Sequence, residues 1–133
     1  MAGEIIQWNI CGLKSKRSQF YKEKISILSG YLEKVISTQI LNIQETHISK
    51  NEELPNILRQ YEHLYNFEIA NAPVNDPYSG IILGIRKTER IISSEILEPG
   101  RLILVKIQNE SNNNNINMFS IYCNPSDSRK QPV

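Results

Sequence analysis

The sequence predicts an α/β protein built as a layered α/β sandwich, a mixed sheet with flanking helices, and three observations carry that expectation. An apolar strand-like run, an amphipathic helical run and a second apolar run succeed one another between Ile5 and Ile43. Some five further strand-like segments follow, separated by turn formers. With 133 residues, 40% of them hydrophobic and 22% charged, the composition is that of a single globular unit.

Ile5 to Ile10 reads as a buried strand. The basic stretch Lys14, Lys16 and Arg17 follows it. From Tyr21 the apolar period becomes helical: Tyr21, Ile25, Leu28, Leu32 and Val35 share one face, with Lys22, Glu23, Lys24, Glu33 and Lys34 outward. Gly30 costs about 1 kcal/mol relative to alanine, so a bend or an end is expected there. Ile40 to Ile43 is a second buried strand, ending in Gln44-Glu45-Thr46-His47. A short helix is expected from near Glu52, with Pro55 in its first turn.

Strands dominate the remainder. "HLYNFEIA" is one, "NAPVNDPYSG" is turn-rich, and "GIILGIRK" is a buried strand. "RIISSEIL" and "RLILVKIQ" flank the turn "EPG". Leu102, Leu104 and Lys106 alternate with Ile103, Val105 and Ile107, so a strand covered on both faces is expected there. An asparagine-rich loop leads to the last strand, "INMFSIY". A crossover between the first two strands places their carboxyl ends, and with them Asn9 and Glu45, on one rim where open α/β sheets collect ligands.

The net charge of +1 gives no global pull on nucleic acid, so any such contact requires a local basic patch. No apolar run reaches the roughly 18 residues of a membrane span, and the amino terminus has no secretory pattern. Cys11 and Cys123 read as buried free thiols of a reducing compartment, and an intracellular location is expected. The excess of isoleucine and asparagine reads as genome composition.

Glu45 stands out, because a carboxylate at a strand tip is a natural hard-oxygen ligand for Mg²⁺. Alternatively it caps a helix near Ser49 or pairs with Arg86. Asn9 either orients that carboxylate and bonds phosphate, or closes a turn. His47 and the cluster Lys14, Lys16 and Arg17 either face a phosphate backbone or are simply solvated. Tyr122 either presents its hydroxyl to a phosphoryl oxygen or is a strand aromatic with a wet tip.

In order, "WNICGL", "NIQETHIS", "YSGIILGIRK", "PGRLILVKI" and "FSIYCNP" resemble the first half of the endonuclease/exonuclease/phosphatase superfamily. Within it the likeness is greatest to the apurinic-endonuclease-like domain of non-LTR retrotransposons. The resemblance runs from about Ile5 to Pro125, so residues 1–133 are expected to be the amino-terminal portion of one such domain. It implies Mg²⁺-dependent hydrolysis of DNA phosphodiesters, with Glu45 and Asn9 at the metal and Tyr122 beside the scissile phosphate. Lys14, Lys16, Arg17 and His47 fall where DNA contacts are implied, and a nuclear location and a linked reverse transcriptase go with that reading.

Cys11 stands where several repair members carry an acid, and "YCNP" departs from the usual Y-x-P pattern. The later G-D-F-N and S-D-H segments, which the resemblance assigns to the attacking water and its general base, do not occur. The chain is therefore expected to be a fragment that does not cleave alone. It is expected to build mainly one sheet, and losing the cover of about 500 Å² of apolar face forgoes on the order of 12 kcal/mol, which predicts an isolated chain that is aggregation-prone, molten or partnered. A sphingomyelin- or inositol-phosphate-type phosphodiesterase and a non-catalytic binding module are the alternative readings.

Overall fold

In the computed structural model the described residues are 4–13, 19–33, 38–109 and 113–123. Lys14, Lys16, Arg17 and Val35 lie outside them. The elements in order are β1 (Glu4–Asn9), α1 (Gln19–Glu33), β2 (Thr38–Gln44), a 3₁₀ turn (Asn51–Glu53), α2 (Asn56–Gln60), β3 (Tyr65–Ala70), β4 (Ile81–Arg86), β5 (Glu89–Glu98), β6 (Leu102–Asn109) and β7 (Asn115–Ile121).

The helical period from Tyr21 is realised as α1, which buries Leu28 and Leu32 against Leu41 and Ile43 of β2. Gly30 does not stop it, because the helix continues to Glu33. The helix expected from Glu52 is instead split in two. Pro55 holds an extended backbone at φ −60° and ψ 137°, and Leu54 before it is extended as well, so the 3₁₀ turn ends and α2 starts afresh.

Strands divide into two sheets rather than mainly one, with orders β1-β2-β4-β3 and β5-β6-β7. The β1–β2 pair is parallel and places Asn9 opposite Gln44. All other pairs are antiparallel. The inner face of the first sheet is therefore covered: Ile40, Ile81, Leu83 and Ile85 pack with Ile103, Val105, Ile107 and Tyr122. Between the sheets Ser120 donates to Asn42, and the Gln44 amide to the Ile121 carbonyl. At the other side Ser94 donates to Glu68.

These contacts stack β7 over β2 and β5 over β3. β1 is covered by α1 on one face, where Trp8 meets the Tyr31 ring at 6.0 Å between centroids, but none of these contacts between the sheets reaches its other face. Its Ile5, paired with the buried Ile40, is 60% exposed. The open edges of β1 and β7 thus lie on the same side of the sandwich. β6 is covered on one face only: Ile103, Val105 and Ile107 are buried, whereas Leu102 and Leu104 are half-buried and Lys106 is exposed.

Candidate functional site

β1 and β2 run side by side, so their carboxyl ends deliver Asn9 and Glu45 to one place. The Asn9 amide donates from Nδ2 to Glu45 Oε2 at 2.6 Å. Its Oδ1 accepts the Cys11 backbone N–H at 3.1 Å and lies 3.4 Å from the Cys11 thiol. The amide orientation is thus fixed from both ends. It points nitrogen, not oxygen, at the carboxylate, so Asn9 orients the Glu45 side chain.

The loops around this pair are laced together by main-chain bonds. Gly12 N donates to Glu45 O, Leu13 N to Thr46 O, and His47 N to Ser79 O, at 2.8 to 2.9 Å. Three non-glycine residues adopt the left-handed conformation here: Cys11 at φ 53°, Glu45 at 60° and His47 at 61°. Such conformations persist only where surrounding contacts impose them. Gly12, at φ 96°, leaves room for the His47 ring, which would stand 2.7 Å from a Cβ at that position. Lys24, expected outward, instead donates to both the Cys11 and Gly12 carbonyls at 2.9 Å.

His47 Nε2 lies 3.4 Å from Glu45 Oε1, and the two side chains are 22% and 20% exposed. Its ring meets the edge of Tyr78 at 5.3 Å between centroids. Tyr122, one residue past β7, is buried at 3% exposure and so has no wet tip. Its hydroxyl is within hydrogen-bonding reach of the Glu45 carboxylate. Burial, then the negative charge of Glu45, push the phenol up to about 12.

Neither alternative partner of Glu45 is used. Arg86 is buried against the Tyr65 ring, and Ser49 is capped by Glu53. Cys11 and Cys123, expected to be buried, are free and exposed, because both sit just past strand ends at this rim rather than inside strands. Sequence reasoning missed Asp76, Tyr78 and Arg101. Arg101 forks onto Asp76, with Nη2 to Oδ1 at 3.0 Å, and lies 5.6 Å over the Tyr122 ring. The motifs "YSG" and "PGR" carried Tyr78 and Arg101, and nothing in the sequence joined them.

Glu45 offers hard oxygens with free lone pairs, as a divalent cation requires. Among the described residues no group of three His, Cys, Asp or Glu side chains could surround a metal ion. A cation there would have one protein carboxylate and would take its remaining ligands from water or phosphate. A hollow of about 530 Å³ lies elsewhere, lined by Arg59, Tyr65, Phe67 and Lys87 among others, and contains none of these residues.

No known protein family and no curated protein matches the chain. Solved structures do. The AP endonuclease LMAP from Leishmania major superposes with a TM-score of 0.62 at 21% identity, over 89% of this chain and 39% of its own length. The catalytic domain of Xenopus laevis APE2 gives 0.57 at 19% identity, over 95% of this chain and 46% of that one. The chain accordingly shares the fold of these two structures over the aligned residues. The chain spans less than half the length of either structure.

Proposed function

We propose that this chain supplies the amino-terminal half of a divalent-cation-dependent site that hydrolyses DNA phosphodiester bonds. The observation that carries the reading is the Asn9–Glu45 pair at 2.6 Å on adjacent parallel strand tips, backed by Tyr122. In this reading Glu45 holds a cation, Mg²⁺ by the resemblance, which when bound neutralises charge on the phosphate. Asn9 and His47 orient the carboxylate. Tyr122, neutral at ordinary pH, offers a hydroxyl to the phosphate. Lys14, Lys16 and Arg17, immediately after Gly12, contact the DNA backbone.

The AP endonuclease identity of both neighbours favours DNA over other phosphodiesters. The "WNICGL" and "QETH" motifs favour a retrotransposon-type nickase, acting in the nucleus beside a reverse transcriptase, over a repair enzyme. Hydrolysis also needs a positioned water and a base for its proton. We assign neither to these 133 residues, so the chain alone is expected to bind the cation weakly and not to nick DNA. A titration with Mn²⁺ followed by its electron spin resonance tests the site. Wild type should bind, Glu45→Gln should not, and equal binding by both rejects the reading. Nicking of supercoiled plasmid by the chain alone would overturn the proposed incompleteness.

A further inference from the structure

The Asp76–Arg101 pair lies beside the site, with no role in the reading above. Asp76 belongs to the loop between β3 and β4, and Arg101 to the turn between β5 and β6. The guanidinium meets the carboxylate through two bonds, from Nε to Oδ2 and from Nη2 to Oδ1, and each side chain is only 25% exposed. A two-pronged contact of this kind fixes orientation as well as distance.

Each partner then holds an aromatic residue at the rim. Arg101 holds Tyr122 twice: its carbonyl accepts the Tyr122 N–H at 2.8 Å, and its guanidinium lies over the ring. The Asp76 carbonyl accepts from both the Ser79 hydroxyl, at 2.8 Å, and the Ser79 N–H, at 3.2 Å. The turn so closed presents Tyr78 edge-on to His47. The two loops also touch directly, because Gly80 N donates to Gly100 O at 2.9 Å and a Cβ at Gly100 would collide with Ser79.

We propose that the Asp76–Arg101 ion pair is the positioning device of the site, holding Tyr122 against Glu45 from one side and Tyr78 against His47 from the other. Both are positioning residues and act through the two tyrosines. The purpose of the device rests on the proposed nuclease reading; the positioning itself does not.

The test reads the ring proton signals of Tyr122 and Tyr78 by nuclear magnetic resonance in the metal-free 133-residue chain. Asp76→Asn and Arg101→Lys should each displace both sets of signals while the methyl signals of Ile103 and Val105 stay in place. Asp76→Glu should keep the wild-type positions, and the double variant should add nothing to either single one. Unmoved ring signals in Asp76→Asn, or single effects that sum in the double variant, overturn the proposal. Should Asp76→Asn fail to fold, Arg101→Lys, which keeps the charge but not the fork, decides by the same signals. Added Mn²⁺ separates the two readings. Broadening of the Tyr122 ring should weaken several-fold in Arg101→Lys relative to wild type. If wild type shows no broadening, the metal reading fails and the metal-free signals still decide the positioning.

Discussion

Asn9 and Glu45, 36 residues apart in the chain, meet at 2.6 Å across the tips of two parallel strands. The asparagine oxygen is occupied by the Cys11 N–H, so the amide cannot turn over without losing two bonds. In the proposed reading it serves a cation by orienting Glu45. Removing a side chain that orients a ligand typically lowers metal affinity about 10- to 100-fold. Asn9→Ala is expected to weaken Mn²⁺ binding by that factor, whereas Glu45→Gln abolishes it. An unchanged dissociation constant in Asn9→Ala would show that the amide does not organise the carboxylate.

The Arg101 guanidinium, by hydrogen bonding first, holds the Asp76 carboxyl below the usual aspartate value of 3.8. A carboxyl with a lowered folded-state value adds stability above 3.8 and loses it as pH falls through the folded-state value. Stability should thus decline in acid below about pH 4 partly through this pair, in the range where free aspartates protonate. Urea melts of wild type and Asp76→Asn at pH 7 and pH 3 check this. The two proteins should differ more at pH 7 than at pH 3, and an equal gap at both would refute the coupling.

Much of this site was legible in the chain, and the reason is topological. A strand, an amphipathic helix and a second strand fix two adjacent tips whatever follows, and Asn9 and Glu45 occupy those tips. The partition into two sheets was not legible, because β6 carries leucines on one face and isoleucine and valine on the other. Periodicity cannot tell a covered leucine from a half-exposed one. Asp76 and Arg101 were hidden for a further reason. Each sits in a turn-rich stretch, where charged residues are ordinarily solvated, and only the contact of two separate loops brings them together.

Tyr122 offers a second pH test, of opposite sign. Its phenol is pushed up to about 12, by burial first and by Glu45 second. An acid whose folded-state value is raised contributes stability fully below its unfolded value near 10, and that contribution disappears between about pH 10 and pH 12. The alkaline stability loss should be smaller in Tyr122→Phe, as followed by circular dichroism. Absorbance at the tyrosinate band should also lose one late-titrating phenol. A variant that retains all its late-titrating phenols would place Tyr122 in a different environment.

Gly30 is exposed within α1, and a Cβ there would meet nothing within 4 Å. The helix therefore carries the glycine cost without any packing reason for it. Gly30→Ala is expected to stabilise the chain by about 1 kcal/mol and to raise the melting temperature by about 4 °C. A lowered melting temperature would mean that the glycine serves a contact outside the described residues.

The apolar surface left open is not the inner face of the first sheet but the outer face of the second. Cross-strand partners Leu104–Phe119 and Leu102–Ile121 lie there, with Phe119 54% and Ile121 55% exposed. Next to them β7 presents an unpaired edge among the described residues. An apolar face beside an open edge is a template for self-association. Phe119→Lys should reduce concentration-dependent light scattering and dye binding by the chain. Because the ring contributes little to the buried core, stability should change by no more than about 0.5 kcal/mol. Scattering equal to that of wild type would shift the source of association to the overhanging β1, where Ile5→Lys is the matching substitution.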